Sequence, residues 1–244
     1  VSPSTLKKVR GAIDALGFVP NASARGLRAG RTRVLGLVVP DISNPFFTDL
    51  AKGVNDAALS KGYAVMLCNT DADSEKEHQL LDVLTSQKVQ GILITPARDT
   101  SKSINSLSDK GIGIALVDRE AIGVDACSVG VNDSAGGTLA LNHLFELGHR
   151  KILLLTGAAN IPQVADRDSG IKSAINAIAK EERPVLHILR VSQMNSAPTH
   201  DALNKYIREE GVNFTAIICG NDLIALGAIR ALRDHKLEVP RDIS

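Results

Sequence analysis

Residues 34–47 read VLGLVVPDISNPFF and combine the two features that decide the fold. The first six of them, 34–39, form an almost unbroken apolar run, which is typical of a strand covered on both faces. A polar turn follows, and an amphipathic stretch begins at about residue 47. A strand that passes through a polar turn into a helix is the first half of a parallel βαβ unit.

The same alternation continues along the chain. Seven more β-rich runs follow, at 63–69, 91–95, 113–117, 127–131, 151–156, 185–191 and 214–219. Stretches of helical period separate them, at about 47–61, 75–87, 101–110, 134–147, 164–180, 198–209 and 222–235. The pattern predicts an α/β protein with two doubly wound parallel-sheet lobes. A TIM barrel needs eight complete units, and the chain has about seven.

Composition sets the broad class. The 244 residues are 44% apolar and 23% charged, which is enough for one large or two ordinary cores. No apolar run approaches the ~20 residues that span a bilayer, so we expect no membrane association. No leader peptide is visible, so we expect no secretion. The three cysteines, Cys68, Cys127 and Cys219, are widely spaced and odd in number. This usage predicts buried, reduced thiols in a cytoplasmic protein.

The charge of the chain is unevenly distributed. Residues 1–33 contain seven lysines and arginines and a single acid, a net charge of +6, whereas the rest of the chain carries −5. This asymmetry indicates a basic arm that binds a polyanion, although a merely solvated basic face has the same composition.

The basic arm has its own helix signals. Ser2 and Pro3 form a helix start, apolar residues follow at helical spacing, and Gly17 provides a stop. Asn21 is a candidate cap for a second short segment over residues 22–28. We expect that segment to be marginal as an isolated helix, because it contains a glycine and has only about two turns.

Motifs for catalysis are missing from the sequence. It has no G-x-S-x-G, H-E-x-x-H, C-x-x-C or P-loop pattern, and the turn after the first strand lacks the glycines that a dinucleotide needs. The six histidines are scattered without metal-ligand spacing. We therefore expect a protein that is not an enzyme and has neither a cofactor nor a metal.

The turn after the first strand is instead a candidate binding site. Ligands of open α/β sheets lie at the carboxyl ends of the strands. Phe46 and Phe47 are adjacent there and cannot both point into one core, so we expect at least one to cover the face of a sugar or base. The alternative is a hydrophobic staple at the start of the next helix.

Other strand ends carry charged and amide side chains: Asp118 and Arg119, Asn132 and Asp133, Arg167, and Asn221 and Asp222. Arginines near carboxylates suit the hydroxyls or carboxylates of a small polar ligand. For Asp133 and Asn221, simple capping of the next helix is an equally good interpretation.

Four segments together resemble the LacI/GalR family of transcriptional regulators. They are residues 1–28 (VSPSTLKKVRGAIDALGFVPNASARGLR), 31–47 (RTRVLGLVVPDISNPFF), 148–152 (GHRKI) and 221–228 (NDLIALGA). The resemblance covers the whole chain. It implies a periplasmic-binding-protein-like core whose two lobes close on an effector, in a homodimer that binds operator DNA at the nucleoid, in the cytoplasm.

The resemblance also implies a domain organisation. Residues 1–20 correspond to the end of a helix-turn-helix headpiece, 21–33 to a hinge, 34–131 to the N-terminal lobe and 132–244 to the C-terminal lobe. Because the family has two further helices before this point and continues beyond the last residue, we expect the chain to be a piece of a longer protein. The rival interpretation is a solute-binding protein for sugar uptake, which has no use for the basic arm.

Individual roles follow by matching position. Leu27 resembles the hinge leucine that wedges into a minor-groove step, with Arg28 at the groove or a neighbouring phosphate. Phosphate contacts are expected from Asn21, Ser23 and Arg25. The effector set implied by the family is Asn44, Phe46, Phe47, Asp118, Arg119, Arg167 and Asp222. It is similar to that of pentose-binding relatives, so we expect a sugar or nucleoside, with a purine as a further alternative.

Overall fold

A computed structural model describes residues 2–17, 32–97, 101–119 and 125–244. The chain divides into two compact units, Val1–Gly130 and Val131–Ser244, called here the first and second unit. Each unit has its own parallel sheet, which confirms the α/β class and excludes a single barrel among the described residues. The predicted hinge contacts at residues 21–28 lie outside the described residues.

The N-terminal helix α1, Pro3–Leu16, begins and ends where the sequence predicts. The side chain of Ser2 accepts a hydrogen bond from the Thr5 amide, and Pro3 lies in the first turn. Gly17 ends the helix with a left-handed backbone (φ 57°), a conformation that glycine adopts without steric cost. None of the residues of α1 is buried.

The sheet of the first unit has the strand order β2-β1-β3-β4-β5, and all neighbours are parallel. Its strands are β1 (Val34–Val39), β2 (Ala64–Asn69), β3 (Gly91–Ile94), β4 (Gly113–Val117) and β5 (Cys127–Val129). Its further helices are α2 (Pro45–Ser60), α3 (Ser74–Ser86) and α4 (Ser101–Asp109). With β1 inside the sheet, the turn after β1 lies beside the ends of β2 and β3.

Both faces of this sheet are covered, as the apolar run in β1 predicts. Leu37 and Val39 pack with Phe47 of α2 on one face. The other face carries a larger cluster that includes Leu84 of α3 and Ile92 of β3. Gly36 lies at the centre of the sheet, where a β-carbon would lie 2.7 Å from Cδ1 of Leu84 and would force this buried side chain to move.

The sheet of the second unit has the order β7-β6-β8, again fully parallel. Its strands are β6 (Lys151–Thr156), β7 (Val185–Arg190) and β8 (Ala216–Cys219). Its helices are α5 (Asp133–Glu146), α6 (Pro162–Ala177), α7 (Ser196–Glu210) and α8 (Asp222–Asp234), with a short 3₁₀ turn at Lys180–Glu182. Residues of β6 alternate between two buried clusters, one with α5 and α6 and one with α7 and α8.

The cysteine prediction is partly wrong. Cys68 is buried, but Cys127 is exposed, because β5 is a three-residue edge strand whose residues are all exposed. Cys219 is partly buried, and the burial of its thiol raises the pKa of that group to about 12. Across the described ranges, no helix is both long and apolar enough to cross a bilayer.

Candidate functional site

The turn after β1 is fixed by side chains at the carboxyl edge of the first sheet. The Asn69 side chain, at the end of β2, accepts a hydrogen bond from the Ile42 amide at 2.9 Å. Asp41 accepts from both the amide and the hydroxyl of Ser43, at 2.8 and 2.6 Å. Asn44 caps α2 by accepting from the Phe46 amide at 3.1 Å. The start of α2 is therefore held rigidly at this edge.

The two adjacent phenylalanines have different environments. Phe47 is only 7% exposed and packs in the core, whereas Phe46 is 44% exposed. Their rings make an edge-to-face contact with centroids 5.0 Å apart. Phe46 is thus the ring that is open to solvent, and the buried ring of Phe47 packs against it. The predicted effector contact of Phe47 stays a prediction.

Asp118 and Arg119 follow β4 directly. Asp118 has a left-handed backbone (φ 56°), which is uncommon for a residue other than glycine, and its amide donates to the Val129 carbonyl at 2.8 Å. The guanidinium of Arg119 donates to the Pro96 carbonyl at 3.1 Å. That contact joins the segments that follow β3 and β4 at the same edge of the sheet.

The second unit has its own polar cluster, centred on Arg167 of α6. Its Nε donates to Asp133 Oδ1 at 2.6 Å, and Asp133 is the first residue of α5. A second guanidinium nitrogen donates to the Gly220 carbonyl, which follows β8. Arginine has five N–H donors, and these contacts use two of them. Arg167 is half-buried, so the other donors are held in a fixed plane near solvent.

At the starts of α5 and α8, the asparagine side chain caps the helix and the carboxylate of the following aspartate is left for other contacts. Asn132 caps α5 by accepting from the Ala135 amide, so the capping role considered for Asp133 falls to its neighbour. Asn221 caps α8 by accepting from the Ile224 amide at 2.8 Å. The carboxylate of Asp133 is left to pair with Arg167, and that of Asp222 is exposed in the first turn of α8.

The ion pair between Arg190 and Asp168 is not predicted from the sequence. Arg190, the last residue of β7, donates to Asp168 Oδ2 of α6 at 2.5 Å and to the Gly157 carbonyl at 2.7 Å. An arginine at a strand end was the signal that singled out Arg119, and Arg190 carries the same signal. No group of three or more His, Cys, Asp or Glu side chains in the described part of the chain is placed to hold a metal ion.

These features define a class of parallel α/β protein. Polar side chains held by hydrogen bonds lie at the carboxyl edges of its sheets, together with the exposed aromatic ring of Phe46. Residues 32–244 match the family described as periplasmic binding proteins and sugar binding domain of LacI family. The chain therefore belongs to the LacI family.

Relatives and solved structures agree with this assignment. The HTH-type transcriptional regulator RegA of Clostridium saccharobutylicum is 33% identical, over the whole chain and 73% of its own length. The HTH-type transcriptional repressor PurR of Aliivibrio fischeri is 33% identical, over the whole chain and 72% of its own length. A LacI family regulator from Enterococcus faecium, with bound ribose, is 28% identical with a TM-score of 0.75, covering 86% of this chain and 75% of its own. A protein from Alkaliphilus metalliredigens, complexed with D-xylulofuranose, is 27% identical with a TM-score of 0.74, covering 87% and 76%.

Proposed function

We propose that the chain is an effector-responsive, DNA-binding regulator of transcription that acts as a repressor. One observation carries this choice over a solute-binding protein. The domain match begins at residue 32, but the regulators RegA and PurR match the whole chain, including the basic arm at residues 1–33. A sugar carrier has no use for an arm of net charge +6, whereas DNA-binding proteins neutralise phosphates with such arms.

The effector in this proposal is a small polyhydroxylated molecule, a pentose or a nucleoside. The anchored guanidinium of Arg167 and the exposed carboxylate of Asp222 supply donors and acceptors for hydroxyl groups. The exposed ring of Phe46 supplies an apolar surface for a sugar face or base. Support also comes from the two structural relatives, one with ribose and one with D-xylulofuranose.

Charge favours a neutral effector over a phosphorylated one. The polar edge of the second unit has two carboxylates, Asp133 and Asp222, against the guanidinium group of Arg167. Asp133 already neutralises Arg167 at 2.6 Å. A phosphate would bring about two more negative charges to residues that are net negative already. We therefore expect sugar phosphates to bind more weakly than the parent sugars.

DNA contacts in this proposal come from the hinge residues 21–33, with Leu27 as the apolar wedge. Effector binding shifts the population of hinge states that fit the minor groove. The relatives are regulators, and we propose that this chain has no catalytic activity and works in the cytoplasm, at the nucleoid.

We also propose a homodimer that uses the outer face of α2 and β2. Leu67 lies on the edge strand β2 and is the register partner of Leu37, so it shares the sheet face that α2 covers. Leu67 and Leu59 of α2 are nevertheless exposed, and Leu50 and Val54 are only partly buried. Sedimentation should give a dimer that Leu67→Glu dissociates, while Leu139→Glu, at an exposed leucine of α5, leaves it intact.

The experiment for the function is a pair of binding measurements on one variant. The complete product of the gene is purified and incubated with fragmented genomic DNA of its source, and retained fragments are sequenced with and without added pentose. Leu27→Ala should lower DNA retention at unchanged pentose affinity. Loss of pentose affinity with intact DNA retention would show that Leu27 is not a DNA contact. Failure of wild-type protein to retain any fragment selectively would contradict the regulator assignment.

A further inference from the structure

Asp168 is a buried carboxylate that the proposed function does not use. The residue is 4% exposed, and its Oδ2 accepts from Arg190 at 2.5 Å. Its other oxygen, Oδ1, is also buried and has no hydrogen-bond partner among the described residues. Arg190 in turn donates to the Gly157 carbonyl. The Arg190 side chain is 34% exposed, so a buried carboxylate is paired with a cation that reaches solvent, and the gain in stability from such a pair is small.

The geometry relates the pair to Arg167. Arg167 and Asp168 are consecutive on α6, so their side chains leave the helix about 100° apart. Arg167 reaches α5 and the turn after β8, whereas Asp168 reaches the end of β7. Through Arg190 this second contact continues to Gly157, which follows β6. Two contacts on different sides of one helix fix its rotation about its own axis.

We propose that the Asp168–Arg190 pair is a positioning device that sets the rotation of α6 and so holds the guanidinium of Arg167 in its place at the carboxyl edge. The proposal rests on the proposed function for the role of Arg167 in effector binding. Neither Asp168 nor Arg190 needs to touch the effector. This positioning role also explains why a charged pair, rather than an apolar contact, occupies this position. The hydrogen bonds of a charged pair are directional, whereas apolar contacts are not.

The first test measures Arg167 directly and needs no effector. The exchange rate of the Arg167 Nε–H with solvent is followed by nitrogen-edited NMR, with the resonance assigned by its loss in Arg167→Lys. Arg190→Met should increase this rate at least tenfold. Arg208→Met, at an exposed arginine of α7, is the matched control and should leave it within twofold. An unchanged rate in a folded Arg190→Met protein overturns the proposal.

A second variant guards against loss of folding. Arg190→Met leaves Asp168 buried without its cation, so the single variant can be too unstable to study. The paired replacement Asp168→Leu with Arg190→Met removes both charges and keeps the site apolar. It should retain the fold and still show the faster Arg167 exchange. Normal exchange in the paired variant would mean that ordinary packing, not the ion pair, positions α6.

The third measurement separates positioning from a direct effector contact. Titration calorimetry with D-ribose should show about a tenfold weaker affinity for the paired variant. In an Arg167→Lys background, the same replacement should change the affinity less than twofold. An equal loss in both backgrounds would mean that the pair acts without Arg167, which overturns the proposal. If wild-type protein does not bind D-ribose, the choice of D-ribose as effector is wrong, and the exchange rates alone decide the positioning role.

Discussion

Gly137 of α5 and Gly170 of α6 face each other's helices so closely that neither position has room for a β-carbon. A β-carbon on Gly137 would collide with the Arg167 carbonyl, and one on Gly170 with the Ser134 carbonyl. The hydroxyl of Thr138 donates to the Gly170 carbonyl at 3.1 Å and holds the crossing. This close approach brings the start of α5 beside Arg167, and so makes its ion pair with Asp133 possible.

Adjacent glycines of α5 give a sharp test of the crossing. Gly137→Ala should lower the free energy of unfolding by about 1–3 kcal/mol, because the added methyl group meets backbone atoms that cannot rotate away. Gly136→Ala is the matched control, since nothing lies within 4 Å of its β-carbon position. It should stabilise by up to about 1 kcal/mol through helix propensity. Urea unfolding measures both, and equal effects would contradict the close crossing.

The two phenylalanines should separate stability from binding. Phe47→Ala removes a buried ring and should cost about 3–5 kcal/mol of unfolding free energy. Phe46→Ala should cost about 1 kcal/mol or less, largely the edge-to-face contact, but should weaken pentose affinity several-fold. Chemical unfolding and calorimetry check the pair. Unchanged pentose affinity in Phe46→Ala would remove Phe46 from the effector contacts.

Substitutions of Asp222 and Arg167 in the second unit should weaken the affinity for a pentose to different degrees. Asp222→Asn should weaken pentose binding about tenfold, or roughly 1.4 kcal/mol. It should lower the free energy of unfolding by about 1 kcal/mol or less, because the carboxylate is exposed in the first turn of α8 and helix capping is left to Asn221. Arg167→Met should weaken binding more and also destabilise the unit, since it leaves Asp133 without its partner. Asp166→Asn, at an exposed acid beside Arg167, is the control. An Asp222→Asn affinity equal to that of the control would refute its role.

His200 of α7 should make the stability of the second unit depend on pH. Its Nδ1 lies 3.1 Å from Asp201 and its Nε2 lies 2.7 Å from Asp234 of α8. The hydrogen bond to Asp201 is the larger cause that raises the pKa of His200 above 6.5, and the hydrogen bond to Asp234 is the next. The positive charge of Arg230 opposes the shift. The same hydrogen bond to His200 lowers the pKa of Asp234.

The sign of the effect follows from the raised pKa. The stabilisation is fully present below the unfolded pKa of about 6.5, and it is lost as the pH rises through the higher folded value. The difference in unfolding free energy between wild type and His200→Gln should therefore shrink from pH 5.5 to pH 8.5. His143→Gln, at an exposed histidine of α5, is the control. A difference that is constant or that grows with pH would contradict this contact.

Much of the fold could be predicted because strands and helix ends depend on patterns of neighbouring residues, such as apolar runs and capping residues. The apolar run at 151–156 predicts a strand covered on both faces, and β6 is that strand, with its residues alternating between two cores. Ser2 and Gly17 likewise predict the bounds of α1, because capping depends on a few neighbouring residues. Cys127 was misjudged because an apolar flank does not reveal that β5 is a short edge strand.

The contacts of the candidate site could not be predicted in the same way. The sequence places Arg167 and Asp133 near strand ends, but their pairing joins residues 34 positions apart and depends on the glycine crossing of α5 and α6. The Asp168–Arg190 pair depends equally on tertiary packing. The sequence also could not predict which of the two adjacent phenylalanines faces solvent. That choice depends on how α2 lies against the sheet, which places Phe47 in the core.

The most direct test of the account is a thermal-shift panel on wild type and Arg167→Met with neutral pentoses, nucleosides, purines and sugar phosphates. A ligand that binds only the native state raises the unfolding midpoint by mass action. We predict that a neutral pentose or nucleoside raises the midpoint of wild type by several degrees, and that the ligand-induced shift disappears in Arg167→Met. A shift that persists in Arg167→Met, or one produced by sugar phosphates alone, would contradict the account.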